Sequence, residues 1–162
     1  MKKALILDRD GTLIKDQRYL NNYKKIYFLK NNIRGLKLFQ KSNFIMFIVS
    51  NQSGVARKLI KKKELNKINA EIKKRLKFNG IIIRKIFNCI HLPKNNCKCR
   101  KPKKYFGEII FKNFDFNKKK SIMIGNNYCD FKFAKNLKIN YFNIGSKKKD
   151  FKSIYSVARK IL

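Results

Sequence analysis

The chain has 162 residues, of which 42 are Lys or Arg and 9 are Asp or Glu, so its formal net charge is +33. This length is enough for one domain with a real apolar core. No run of about 18 uninterrupted apolar residues occurs, so no membrane span is predicted. The N-terminal apolar run ALIL is too short for a secretory signal peptide, and no small-residue cleavage site follows it. We therefore predict a cytoplasmic protein in which residues 1–162 form a single domain.

The positive charge has two interpretations. Nucleic-acid binding is one, because a basic surface attracts polyanions. The other is a compositional bias, since Lys, Asn, Ile and Phe are abundant together along the entire chain, as an AT-rich coding sequence would produce. The chain has no aromatic-interleaved RNA-binding motif and no long basic tail. We favour the compositional interpretation, and we expect the same field to attract a small phosphorylated metabolite.

The apolar residues alternate between short continuous runs, typical of buried strands, and longer stretches with helical spacing. This alternation predicts an α/β fold, a Rossmann-like three-layer sandwich with a mostly parallel sheet and no inserted second domain. Gly35, inside the first predicted helix, has no assigned role. In chain order the pattern predicts a strand at Ala4–Leu7, a helix at Ile33–Phe39, a strand at Phe44–Val49, a helix at Lys61–Phe78, a strand at Ile81–Phe87 bent at Arg84–Lys85, a helix at Tyr105–Phe114, a strand at Ser121–Ile124, a helix at Cys129–Asn136, a strand at Tyr141–Ile144 and a helix at Phe151–Ile161.

Polar side chains follow four of the predicted strands. In parallel sheets ligands bind beyond the carboxyl ends of the strands, so these side chains are expected to converge. They are Asp8 and Asp10 in DRDGT, Ser50 to Ser53 in SNQS, Arg100 and Lys101 after a cysteine-rich loop, and Asn126 with Asp130 after the fourth strand.

This set predicts phosphoryl transfer. Asp8 is the predicted nucleophile, forming an aspartyl-phosphate. Asp10 would protonate the leaving oxygen and later activate water. Mg²⁺ held by oxygen ligands would offset the repulsion between carboxylate and phosphate. Ser50 and Lys101 would hold the phosphoryl oxygens.

From Lys3 to about Gly145, these motifs resemble the haloacid dehalogenase superfamily of phosphatases in order and spacing. Within it, SNQSGVAR and the C-x-H…C-x-C-R-K-P loop resemble the uncapped branch that contains the D-glycero-D-manno-heptose 1,7-bisphosphate 7-phosphatases and the histidinol-phosphate phosphatases. The resemblance implies that Arg100 recognises the substrate and that Lys101 steadies the phosphoryl group. It also implies a substrate pocket lined by Asp16, Gln17, Arg18, Tyr19, Ser50, Asn51, Gln52 and Ser53.

The resemblance further implies that Mg²⁺ is held by Asp8, the main-chain carbonyl of Asp10 and the residue at Asn126. The family pattern has Asp at this last position. Asn keeps an oxygen ligand but loses a formal charge, so we expect weaker Mg²⁺ binding, with Asp130 as indirect support for the metal. We predict a working enzyme that requires more Mg²⁺ than usual. A catalytically weak binding protein is the alternative.

The stretch NCIHLPKNNCKCRKP holds three of the four cysteines and the only histidine. Its C-x-H and C-x-C pairs form the ligand set of a closed, four-coordinate Zn²⁺ site. Such a site has no open position for water, so we expect a structural metal that folds loop 89–99 and thereby fixes Arg100 and Lys101. A cluster of reduced thiols is the alternative, and Cys129 is expected to be a separate buried thiol. The predicted zinc ligands are Cys89, His91, Cys97 and Cys99.

Two features point to different substrates. SGVAR after Asn51 and Gln52 matches the heptose-bisphosphate branch, and Arg57 falls on its pattern. The compact cysteine loop and the Lys after Pro102 look more like the histidinol-phosphate branch. Loop length is the less reliable marker, so we predict the heptose bisphosphate, with histidinol phosphate as the alternative. A nucleic-acid-binding module and a zinc-only interaction module remain as other classes, but neither requires DRDGT. We expect a monomer.

Overall fold

The computed structural model describes residues 2–145 and 150–162. Its centre is one sheet of five parallel strands in the order β3-β2-β1-β4-β5. The predicted α/β class and the parallel sheet are therefore confirmed. The strands are β1 (Lys3–Leu7), β2 (Phe44–Asn51), β3 (Ile83–Cys89), β4 (Ile122–Gly125) and β5 (Asn140–Asn143).

Five α-helices cover the two faces of the sheet, which gives the predicted three layers. One apolar cluster joins α1, α2 and α5 to the sheet, and a second joins α3 and α4 to the other face. Alternate residues of β1 serve the two clusters, with Leu5 and Leu7 in the first and Ala4 and Ile6 in the second, as strand geometry requires. The helices are α1 (Asn32–Lys41), α2 (Lys62–Phe78), α3 (Tyr105–Lys112), α4 (Tyr128–Leu137) and α5 (Ile154–Ile161).

The connection from β1 to α1 contains loops and one short 3₁₀ turn at Tyr23–Lys25, so no large cap domain lies there. Among the described residues, no helix combines the length and the apolar character needed to cross a membrane.

Most element boundaries differ from the sequence expectation by one to three residues, including β3, which runs over Ile83–Cys89 instead of the predicted Ile81–Phe87. Two of the other differences have a local reason. Helix α5 begins at Ile154 rather than Phe151, because the Ser153 hydroxyl accepts a hydrogen bond from the Ser156 N–H and caps the helix. Strand β2 continues to Asn51, two residues past the predicted end, and pairs there with Cys89 of β3. The register between these two strands shifts after Met46, at the predicted bend.

Gly35 has a packing role that the sequence did not reveal. A Cβ at this position would lie 2.4 Å from the Tyr155 nitrogen and 2.5 Å from the Ile154 carbonyl carbon. Helices α1 and α5 therefore meet backbone to backbone, and a glycine is required at the contact because no side chain fits.

Asn32 connects this helix pair to the loop after β1. Its buried amide donates to the main-chain oxygens of Thr12 (2.7 Å) and Leu13 (3.1 Å) and accepts from the Ile154 N–H (3.0 Å). The loop that carries the DRDGT motif is thus anchored to α1 and to the first turn of α5.

Candidate active site

A cavity of about 240 Å³ lies at the carboxyl ends of β1 and β2. Most of the predicted site residues line it: Asp8, Asp10, Asp16, Arg18, Tyr19, Ser50, Asn51, Gln52, Ser53 and Lys101. Residues that the sequence analysis did not assign to the pocket also line it: Arg9, Leu20, Gly54, Asn127 and Cys129. The parallel sheet has thus brought together side chains from four separate segments.

Some predicted residues lie elsewhere. Arg57 is exposed and outside the cavity lining. Gln17 donates its amide to the Lys25 carbonyl. Arg100 also lies outside the lining, where its guanidinium donates to the His91 carbonyl (3.4 Å). Geometry alone therefore gives Arg57, Gln17 and Arg100 no direct contact with the cavity, and their predicted substrate contacts require a ligand that extends beyond it.

The deepest part of the site is an ammonium between two carboxylates. Lys101 Nζ lies 2.6 Å from Asp8 Oδ1 and 2.6 Å from Asp130 Oδ1. All three residues are buried. Asp130 also accepts the main-chain N–H groups of Asn126 (3.2 Å) and Asn127 (3.1 Å), which fixes its carboxylate at the start of α4.

Two buried carboxylates share this single lysine, so one negative charge is left uncompensated. Burial, with a smaller contribution from the charges of Asp130 and Asp10, raises the pKa of Asp8 to about 7 against the opposing effect of Lys101. Burial alone would lower the pKa of Lys101, but the two carboxylates raise it above its ordinary value. The lysine therefore stays charged, and the site favours a further cation.

Asp10 is held in a fixed orientation beside the cavity. Arg9, whose side chain is only 1% exposed, donates from Nε to Asp10 Oδ2 (3.0 Å) and from Nη2 to Oδ1 (3.1 Å). Gln52 Nε2 donates to the same Oδ2 and to the Ser50 hydroxyl, both at 2.7 Å. The sequence prediction missed Arg9. An arginine between two aspartates directly after a buried strand was the available signal.

Oxygen atoms suited to Mg²⁺ lie at this edge of the sheet, although the predicted ligand Asn126 lines a neighbouring cavity and not the one that Asp8 lines. Asn126 lies against the loop after β1, where Thr12 Oγ1 donates to its Oδ1 at 3.4 Å and Asn127 Nδ2 donates to it at 2.7 Å. A Cβ on Gly11, at φ 76°, would lie 2.2 Å from Asn126 Nδ2, so the glycine makes room for this amide. Carboxylate, carbonyl and amide oxygens are the ligands that Mg²⁺ prefers, and the uncompensated negative charge favours it.

A second group of side chains fits a different metal. Cys89 Sγ lies 3.5 Å from Cys97 Sγ and 3.7 Å from His91 Nδ1, and Cys99 Sγ lies 3.6 Å from Cys97 Sγ and 3.3 Å from His91 Nδ1. A tetrahedral Zn²⁺ ion separates neighbouring sulfur and nitrogen ligands by roughly 3.5–3.8 Å. Three of the four separations fall in this range and the fourth, 3.3 Å, is slightly shorter. The four ligand atoms all lie within 4.8 Å of one another, close enough to share one metal ion.

Cys129 lies outside that cluster, as expected, but it is half-buried instead of buried because it borders the active-site cavity. Burial raises the pKa of its thiol to about 11, and the nearby Asp130 carboxylate raises it as well. A thiol with this pKa is protonated at neutral pH and is a poor nucleophile.

The fold has a well-defined set of structural relatives. The structure of D,D-heptose 1.7-bisphosphate phosphatase from B. bronchiseptica, complexed with magnesium and phosphate, matches with a TM-score of 0.86 at 22% identity, over 98% of this chain and 97% of that chain. A HAD-superfamily hydrolase from Ehrlichia chaffeensis matches with a TM-score of 0.68 at 16% identity, over 99% of this chain and 97% of that chain. These likenesses show that the chain has the fold of the haloacid dehalogenase superfamily.

Sequence comparison identifies the family to which the chain belongs. A Thermoplasma volcanium protein named "Probable D-glycero-D-manno-heptose-1,7-bisphosphate 7-phosphatase" is 31% identical over 140 residues, which cover 86% of this chain and 96% of that protein. The D-glycero-alpha-D-manno-heptose-1,7-bisphosphate 7-phosphatase of Campylobacter jejuni is 35% identical over 137 residues, covering 85% of this chain and 78% of that protein. The chain therefore belongs to the haloacid dehalogenase-superfamily phosphatase family that contains these proteins, and the resemblance predicted from its motifs is confirmed.

The histidine biosynthesis bifunctional protein HisB of Legionella pneumophila is also similar, at 36% identity over 146 residues. The match covers 89% of this chain but only 42% of that protein. No protein-family model matches the chain.

The charge imbalance predicts that Asp8→Asn stabilises the protein above about pH 7 when no Mg²⁺ is added. The folded-state pKa of Asp8 is about 7 and its ordinary value is 3.8, so the folded protein binds more protons than the unfolded chain between these values. Stability therefore falls as pH rises from about 4 to about 7, and the cost is complete above pH 7. Asn removes that cost, which is of the order of a few kcal/mol.

Thermal unfolding from pH 4 to pH 8 tests this. The melting temperature of the variant should exceed that of the wild type at pH 8, and the difference should shrink as pH falls. Asp115→Asn, at an exposed carboxylate outside the site, is the matched control and should show no such trend. A difference that is the same at every pH would contradict the argument.

Proposed function

We propose that residues 1–162 form one phosphatase domain, a Mg²⁺-dependent phosphomonoesterase whose substrate is D-glycero-D-manno-heptose 1,7-bisphosphate. The observation that carries this proposal is the buried Asp8 carboxylate at the end of β1, with Lys101 Nζ at 2.6 Å and the Asp10 carboxylate in the same cavity. A carboxylate in this position can attack phosphorus, and a second one can move the proton that the leaving oxygen needs.

The chain's own groups divide the reaction between them. Asp8 attacks and becomes the aspartyl-phosphate, while the Lys101 ammonium and the Ser50 hydroxyl stabilise the charge on the phosphoryl oxygens. Asp10, oriented by Arg9 and Gln52, protonates the leaving oxygen and then takes a proton from the attacking water. Mg²⁺, when bound to Asp8, the Asp10 carbonyl and Asn126, supplies Lewis-acid stabilisation of the phosphate charge.

Two compounds are candidates for the substrate of this enzyme. The relatives from Thermoplasma volcanium and Campylobacter jejuni are named for the heptose bisphosphate, and the SGVAR segment agrees with them. Similarity to HisB and the compact cysteine loop favour histidinol phosphate, which we keep as the second candidate. Both are small phosphate monoesters, so the catalytic groups do not distinguish them.

The discriminating experiment incubates the pure enzyme with each compound and measures released phosphate. We expect kcat/KM for the heptose bisphosphate to exceed that for histidinol phosphate by at least about tenfold. Asp8→Asn should lower kcat by a factor of about 10³ or more, because it removes the nucleophile. Asp115→Asn is the control and should retain full activity. Absence of phosphate release from both compounds, or an active Asp8→Asn enzyme, would refute the proposal.

Replacing Asn126 with Asp should lower the Mg²⁺ requirement. In the present structure the Asn126 oxygen accepts from Asn127 Nδ2 at 2.7 Å, and the amide brings no formal charge to the metal. A carboxylate adds that charge, so we expect Mg²⁺ to bind at least about tenfold more tightly.

Calorimetric titration with Mg²⁺ and the Mg²⁺ concentration for half-maximal rate both measure this change. The metal-free Asn126→Asp protein should also melt at a lower temperature than the wild type, because it adds a further carboxylate to an already negative site. Unchanged Mg²⁺ binding would show that Asn126 is not a ligand.

We propose that Cys89, His91, Cys97 and Cys99 hold a structural Zn²⁺ ion in loop 89–99. Cys99→Ser should then lose the zinc, lower the melting temperature and reduce kcat through the displaced Lys101, two residues further along the chain. Zinc content, thermal unfolding and turnover are measured on the same preparation. Cys129→Ser, which removes a thiol outside the cluster, should keep its zinc. Zinc loss without any effect on folding or rate would contradict a structural role.

A cytoplasmic location, a monomeric state and a minor role for nucleic acid stay predictions.

A further inference from the structure

We propose that Asn51 is the positioning residue for Lys101, and that it fixes the backbone of this lysine through a two-point hydrogen bond independent of zinc. The inference rests on the proposed function only in that Lys101 serves the phosphoryl group. It changes the sequence interpretation of Asn51, which made this residue a substrate contact.

The side chain of Asn51 hydrogen-bonds to Lys101 in the way that a neighbouring β-strand would. Asn51 is the last residue of β2. Its Oδ1 accepts from the Lys101 N–H at 3.0 Å and its Nδ2 donates to the Lys101 carbonyl at 3.1 Å. The side-chain amide thus satisfies both main-chain groups of Lys101, as a peptide unit in an adjacent strand would.

The other restraints on this segment act on neighbouring residues. The Arg100 carbonyl accepts from the Lys103 N–H at 2.9 Å, and the Pro102 carbonyl accepts from Asn136 Nδ2 at 2.9 Å. The last predicted zinc ligand, Cys99, lies two positions before Lys101. Among the hydrogen bonds of the described residues, Asn51 is the partner of both Lys101 main-chain groups.

Positioning matters here because the lysine side chain is long and its target is narrow. Lys101 Nζ must reach 2.6 Å from both Asp8 and Asp130, in a buried place where water cannot substitute for a lost contact. A backbone displacement of about 1 Å is enough to impair a catalytic contact of this kind by about 10²-fold. An anchor on the Lys101 backbone itself therefore controls the ammonium more directly than the zinc loop does.

A double-mutant cycle tests this proposal. Asn51→Ala and the similar-sized Asn51→Leu are compared with Lys101→Met and with the double variant Asn51→Ala plus Lys101→Met. Affinity for orthovanadate in the presence of Mg²⁺, measured by calorimetry, reports on the phosphoryl subsite without requiring turnover. Asn136→Ala is the matched control, because it removes one amide bond to the same segment from the exposed side.

We expect Asn51→Ala and Asn51→Leu to weaken vanadate binding about tenfold and Asn136→Ala to weaken it less than about twofold. In the Lys101→Met background, Asn51→Ala should add less than about twofold, because its effect passes through the lysine. With p-nitrophenyl phosphate, kcat should fall more than KM rises. Zinc content should equal that of the wild type in every Asn51 variant.

Equal effects of Asn51→Ala in both backgrounds would overturn the proposal, as would a change confined to KM, because either result marks a direct substrate contact. An Asn51 variant that loses zinc together with its affinity for vanadate would also overturn the proposal, since Asn51 would then act by folding loop 89–99. Asn51→Leu keeps the test valid if the alanine variant does not fold. If vanadate binding changes as expected but the enzyme does not hydrolyse the heptose bisphosphate, only the proposed substrate is refuted.

Discussion

The architecture of this protein depends on one buried interaction, the Lys101 ammonium at 2.6 Å from both Asp8 and Asp130. The three residues come from the end of β1, the start of α4 and the segment that follows β3. Removing the lysine would leave two carboxylates without their cation in the interior, at a cost of several kcal/mol. The segments must therefore assemble together, and the order of the strands in the sheet is what places them side by side.

The same site is not electrically balanced. Asp8, Asp10 and Asp130 face Lys101 and Arg9, so three carboxylates meet two cations and one negative charge remains. A phosphate dianion would be repelled by such a site. A divalent cation reverses the sign of the net charge and so makes the same groups attractive to phosphate. In the metal-free protein burial is the main cause of the elevated pKa of Asp8, and the charges of Asp130 and Asp10 add to it.

The sequence was sufficient for features that depend on local pattern. Apolar runs predicted the parallel sheet, and the rule about strand ends located most of the cavity lining. It was insufficient where a role depends on what the fold brings opposite a residue. Gly35 is explained by the backbone of α5, and Arg9 by its pairing with Asp10 deep in the site. Asn51 was predicted to face substrate, but its two polar atoms bind Lys101, because β2 extends farther than its apolar run.

An uncharged residue at position 126 is consistent with the excess negative charge of the metal-free site. An Asp there would raise the negative excess of the metal-free site from one charge to two, in a region where Asp8 already has an elevated pKa. The amide avoids that cost and instead accepts from Thr12 and Asn127, which hold it in place without a metal. We therefore propose that Asn126 lowers metal affinity and stabilises the metal-free fold, since the charge that would bind Mg²⁺ more tightly is the one that would destabilise the protein before Mg²⁺ binds.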